Sequence, residues 1–175
     1  NNGFDGSFTG PDGLELFSTV HVREDATTYR NELSSPADFS TTSFEQALVD
    51  YRNFRDGGGK RIQVQPGCVL SAPDNQFRVA RVLNSTHRPE DDTNAVQPVH
   101  GMGFRQDVWD YLTDADAWFV GPKNKSEGFL MLYEREPFSS DHIFDFDTGD
   151  IKLKGGFRQS SGWGDARGWF GSPGG

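Results

Sequence analysis

A single cysteine, Cys68, among 175 residues excludes an internal disulfide framework and fits a chain that stays in, or matures in, a reducing cytosol. No apolar run approaches the roughly 18 residues of a membrane helix, which excludes a helical span. Positive charge is short too. Seventeen Lys and Arg against 26 Asp and Glu leave a net charge of −9, and a surface of that sign repels phosphate backbones. The chain opens on Asn-Asn-Gly-Phe-Asp-Gly with neither an initiator Met nor an apolar signal core, and is therefore read as a piece of a longer protein.

What is present argues for a folded chain. Hydrophobic residues make up only 34%, yet 15 Phe, 4 Trp and 4 Tyr are far more aromatics than an acidic disordered tail carries. The 21 Gly and 9 Pro predict many turns and long irregular connections.

Residues 1–36 are rich in Gly, Ser, Thr and Asp and predict extended loops with brief strand pairing. Leu14, Leu16 and Phe17 form their one apolar knot. A helix follows, capped by Thr42 or Ser43 with Glu45 and Gln46 three residues on. Its apolar stripe is Phe44, Ala47, Leu48 and Tyr51, and Gly57-Gly58-Gly59 is expected to end it. Ile62 with Val64, then Cys68 to Leu70, predict strand, turn and strand. Asp74 is the expected cap of a second helix with Phe77, Ala80 and Leu83 on one side, closed by Asn84-Ser85-Thr86. A polar loop through Pro89, Asp91 and Asp92 comes next. Strands are predicted at Phe104–Leu112, Ala117–Val120, Phe129–Glu134 and from Ile151 to about Phe170, the last broken by glycines. Helices first and a mostly antiparallel sheet later make an α+β pattern.

The motifs that suggest chemistry fail on spacing. Asp145, Asp147 and Asp150 with Gly149 resemble a calcium loop, but the glycine falls one place early and the twelfth position is Gly156, which has no ligand. A solvated turn between two strands is the expectation. Gly57 to Arg61 lacks the spacing and the Ser or Thr of a phosphate loop. His21, His87, His100 and His142 show no zinc-pair spacing, and no Gly-x-Ser-x-Gly elbow occurs. No metal, no cofactor and no catalytic set is therefore expected. Many carboxylates beside Trp109, Trp118, Trp163 and Trp169 keep one alternative open, a β-rich carbohydrate-binding or glycoside-hydrolase domain with two carboxylates and a tryptophan in a concave site.

Several segments match one family in order and spacing. Asp12-Gly13, Leu16-Phe17-Ser18-Thr19 and His21 resemble the "DG-x-x-LF-ST-x-H" segment of Mu-like phage major head subunits. The helix ending at Phe54-Arg55-Asp56, Ile62-x-Val64-x-Pro66, and Val69 to Pro73 are similar to the stretch that follows it. Asn94-Ala95-Val96 resembles the family's "N-A-V". Tyr111 to Phe119 resembles "YLTDPDAWFI", with Ala115 where proline is frequent. Arg158, Gly162-Trp163, Asp165-x-Arg167-Gly168 and Phe170 to Gly174 resemble its closing "R-x-x-x-GW-x-D-x-RG-x-x-GSPG".

The resemblance implies the Hong Kong 97-type capsid fold, with a spine helix, a peripheral lobe and an axial lobe. Residues 1–60 would hold the N-terminal loops and spine helix of the peripheral lobe. Residues 61–138 would form most of the axial lobe, and 139–175 a long strand returning to the periphery. It implies a non-enzymatic shell protein, forming pentamers and hexamers with itself in a virion built in the host bacterial cytoplasm. Scaffold, portal or decoration proteins are possible further partners; sequence-specific nucleic acid and membrane are not expected. An encapsulin-like compartment is the related alternative. The expected subunit-interface residues are Arg135, Arg158, Trp163, Arg167, Trp169 and Phe170, since aromatics and Arg are favoured at interface cores.

Overall fold

The computed structural model describes residues 2–88, 95–124 and 129–175. Its elements run β1 (His21–Val22), β2 (Thr28–Tyr29), α1 (Thr41–Arg52), β3 (Pro66–Ser71), α2 (Gln76–Asn84), β4 (Arg105–Val108), β5 (Trp118–Pro122), β6 (Leu130–Phe144), β7 (Ile151–Trp163) and β8 (Phe170–Ser172). The α+β class holds. The polar loop expected through Pro89, Asp91 and Asp92 lies outside the described residues, as does Asn94 of the "N-A-V" match.

The chain forms two units, residues 1–129 with 165–175, and residues 130–164. These bounds differ from the expected divisions after 60 and 138. In the first unit α1, β3, β5 and β8, drawn from all three expected segments, share one core.

That unit is built on a four-stranded sheet in the order β4-β3-β5-β8. β4 runs parallel to β3, while β5 is antiparallel to both β3 and β8. All five residues of β5 are buried, as a strand covered on both faces must be. Trp118 and Val120 join the helices in the main core, whereas Phe119 stacks against Phe4 and Phe17 of the N-terminal segment.

The stripe Phe44, Ala47, Leu48 and Tyr51 is buried as expected. The cap is not the expected one. Ser40 is the N-cap, and Ser43 returns its bond to the Ser40 backbone, so a serine completes a capping box where Glu or Gln is the common partner. The helix stops at Arg52, ahead of the glycines. A bridge between Arg55 and Arg61 makes Gly57–Gly59 the tip of a turn instead.

In α2 the buried residues are Val79, Val82 and Leu83, while Phe77 is 72% exposed. Asp74 lies in a 3-10 turn before the helix, and no side chain caps α2. The helix closes at Asn84 with Ser85 as C-cap, as expected. Ile62 and Val64 form no strand; they pack, partly buried, against the core.

The second unit is a long antiparallel hairpin, β6 with β7. β6 runs to Phe144, well past the expected end at Glu134. Pro137 does not stop it because two bulges fall between Glu134 and Ser139, where a missing N–H removes no ladder bond. The strand expected from Ile151 to about Phe170 is two, β7 and β8, separated by a turn around Asp165.

Candidate assembly surface

The hairpin is a ribbon with two unlike faces. Residues opposite each other in an antiparallel pair share a face, and faces alternate along a strand. Both bulges lie in β6, so β7 alternates without interruption. Ile151, Leu153, Gly155, Phe157 and Trp163 fall on one face; Lys152, Lys154 and Arg158 fall on the other.

The partners on β6 extend the division. Phe144 lies opposite Ile151, His142 opposite Leu153, Leu132 opposite Ser161 and Leu130 opposite Trp163. The ring of Phe138 lies over Gly155 on the same side. On the other side Asp141 pairs with Lys154 and Glu136 with Arg158. The first face therefore holds most of the ribbon's exposed large apolar side chains, with Ser140, Glu134 and Gln159 among them, while the other carries charges of both signs beside Met131, Tyr133 and Ile143.

Every residue of β6 and the first eleven of β7 are exposed. A two-stranded ribbon with its apolar side chains in water is marginally stable at best. Its turn, Asp145–Asp150, is polar apart from the exposed ring of Phe146. Asp145 accepts from Lys152 Nζ at 2.8 Å, and that hydrogen bond holds its carboxyl below the usual range. The aspartates thus form a turn between strands, as expected.

The six expected interface residues divide between the units. In the hairpin, Arg135 sits at the first bulge, and Arg158 faces Glu136 at 3.7 Å with both side chains 62% exposed, a pair that contributes little in water. Trp163 is half-buried at the end of β7. In the larger unit Arg167 is committed locally, donating to both oxygens of Asp165 and to the Arg55 carbonyl. Trp169 packs against Gly121, beside Cys68. Phe170 is fully buried in the chain's own core, where pairing of β8 with β5 carries it inward, so its ring is not offered to a neighbouring subunit. The residues that the sequence reading left out are Leu132, Phe138, Phe144, Leu153 and Phe157. Alternation in β7 signals Leu153 and Phe157 across Gly155-Gly156, while the bulges in β6 break the pattern for Leu132, Phe138 and Phe144.

Several of the segments compared in the sequence meet in the larger unit, whereas Arg158 and Gly162-Trp163 lie in the hairpin. His21 Nδ1 is 2.6 Å from Asp12 Oδ2, and its Nε2 is 3.1 Å from Asn31 Oδ1. Asn31 Nδ2 donates to the carbonyls of Leu16 and Ala166, and its own carbonyl accepts from Gly171. The closing segment pairs with the Trp118–Phe119 segment through β8 and β5. His21 is fully buried with both ring nitrogens occupied, so this array locks segments together and presents no free base to a substrate.

Two pockets of this unit are lined without tryptophan. One lies along α2 at Phe77, Arg81 and Ser85; the other holds Arg23, Arg30 and Arg55 around the single carboxylate of Asp50. Among the described residues no group of three or more His, Cys, Asp or Glu is placed to hold a metal ion, and no helix is long and apolar enough to cross a membrane. No family model matches the chain, and no curated protein matches it.

Proposed function

We propose that this chain is a structural subunit that assembles with many copies of itself, as the major capsid protein of a tailed phage with the Hong Kong 97-type fold. The observation that carries the reading is the hairpin, which leaves an apolar face in water. Exposed apolar patches beyond a few hundred Å2 mark interaction sites. The residues behind the family resemblance support it from another side. Asp12, His21 and the closing Gly-rich segment do structural work in the fold and surround no open reactive group.

On this reading α1 is the spine helix and the hairpin supplies contacts within a shell of pentamers and hexamers, located in the virion and built in the host cytoplasm. Cofactors and catalysis have no part in it. Isologous and cyclic contacts are what closed symmetric assemblies use.

Sedimentation velocity on the protein from its native source tests the reading. A discrete species in the megadalton range is the expected result. A single boundary at the mass of one or two chains would overturn it. Leu153→Asp, placing a charge on the apolar face, is expected to abolish the large species while the larger unit keeps its circular-dichroism melting midpoint.

A further inference from the structure

The two faces of the hairpin make different demands on a partner. On the charged face, Asp141 lies opposite Lys154 and Glu136 opposite Arg158, so its charges are matched within the chain, and its exposed apolar side chains are three, Met131, Tyr133 and Ile143, dispersed among polar neighbours. The apolar face has no such match. Leu132, Phe138, Leu153 and Phe157 on it are between 62% and 82% exposed.

We propose that this face packs against the same face of a second copy of the chain, the two ribbons running antiparallel about a twofold axis at Phe157. The proposal rests on the assembly reading and specifies one contact within it.

Self-complementarity argues for a second copy over a different protein. Phe157 is the midpoint of β7, Ile151–Trp163. A twofold axis there lays each position over the one equally far on the other side. Leu153 then meets Ser161 of the other copy, and Leu132 meets His142. Gly155 and Ser140 meet Gln159 and Glu134. Leu153 and Gln159 thus meet the short Ser161 and Gly155, as two sheet faces about 10 Å apart favour, while Leu132 meets the His142 ring and Phe157 meets its own copy on the axis. At the ends, Phe144 and Ile151 meet Leu130 and Trp163, apolar against apolar.

Charge and area agree. The chain carries a net −9, so two copies repel in general. This face brings only one carboxylate per copy, Glu134, to the contact, and the twofold places it over Ser140 and away from its own counterpart. Covering the exposed apolar side chains in both copies removes on the order of 1,400 Å2, inside the roughly 1,200–2,000 Å2 of specific interfaces. Burial of that surface also gives the ribbon the second layer that an isolated hairpin lacks.

The test uses the full chain and its cysteine economy. Cys68 is the sole native thiol and is buried. A cysteine placed at Phe157 would face its symmetry mate across about 10 Å, too far for a disulfide and within reach of a short bis-maleimide. Phe157→Cys is expected to give a covalent dimer on a denaturing gel, and Lys154→Cys, on the opposite face, to lose that band. Because removing Phe157 weakens the contact itself, a second measurement mixes Leu153→Cys with Ser161→Cys. The mixture is expected to crosslink and each variant alone to fail. Crosslinking by Lys154→Cys equal to Phe157→Cys, or none by either Phe157→Cys or the mixture, overturns the proposal. Sedimentation of the same samples separates the two ideas. Megadalton species without crosslinking remove the twofold contact and leave the shell; crosslinked dimers without megadalton species keep the contact and remove the shell.

Discussion

Asp12 Oδ2 stands 2.6 Å from His21 Nδ1, and the imidazole, fully buried, reaches across to Asn31 with its other nitrogen. Asn31 is the hub of this array. Its amide donates to the Leu16 carbonyl at 2.7 Å and the Ala166 carbonyl at 3.0 Å, while its oxygen accepts from Ser18 N–H at 2.9 Å. Residues 135 positions apart in the chain are thereby joined through a single side chain.

Asn31→Leu is therefore expected to cost stability out of proportion to its volume. It strands two buried carbonyls, the Ser18 N–H and a ring nitrogen of His21, each a desolvated polar group. A loss of about 2–4 kcal/mol is expected, read as a lower urea midpoint with unchanged slope. A midpoint equal to that of the unaltered protein would show that water replaces these bonds without penalty.

Gly174 separates two sources of strain. Its φ is +90°, and a Cβ there would lie 2.5 Å from Asp116 Cβ. Gly13 has φ +80° with open space around it. Gly13→Ala thus carries only the cost of the left-handed backbone, about 1 kcal/mol. Gly174→Ala adds a collision with the segment leading into β5 and should lower the thermal midpoint clearly further. Equal shifts in the two variants would mean that the closing segment does not press on Asp116.

Tyr29 gives the larger unit an alkaline signature. Burial, helped by the Asp165 carboxylate and opposed by Arg167, pushes its hydroxyl up to about 12. The unfolded tyrosine ionises near pH 10. Because the folded form holds its proton more tightly, the resulting stabilisation is fully present below pH 10 and is lost as pH rises towards 12. Tyrosinate absorbance at 295 nm should show an increment near pH 12 that disappears in Tyr29→Phe. Loss of an increment near pH 10 instead would contradict this environment.

The first helix was legible because its four apolar residues repeat at helical spacing, and that spacing alone names the buried side. Its cap was missed because Ser43 plays a part usually taken by Glu or Gln. The second helix went the other way. Phe77 is the most apolar residue near its start, yet the valines at 79 and 82 are buried, since only their side faces the sheet. Phe170 has no local cover among its Gly-rich neighbours, so sequence alone does not name what buries it; the cover comes from β5, fifty residues earlier in the chain.

Local sequence pattern was enough to name the α+β order of elements, the buried stripe of α1 and the turn at Asp145–Asp150. These are local patterns, set by periodicity, capping and turn chemistry within a few residues. That Asp12, His21, Asn31 and Ala166 meet, and that β6 and β7 pair into a ribbon gathering most of its apolar side chains on one face, came from the folded structure. Those outcomes depend on strand register and on long-range backbone partners, and a shift of one residue in the β6–β7 register would have changed which side chains share a face.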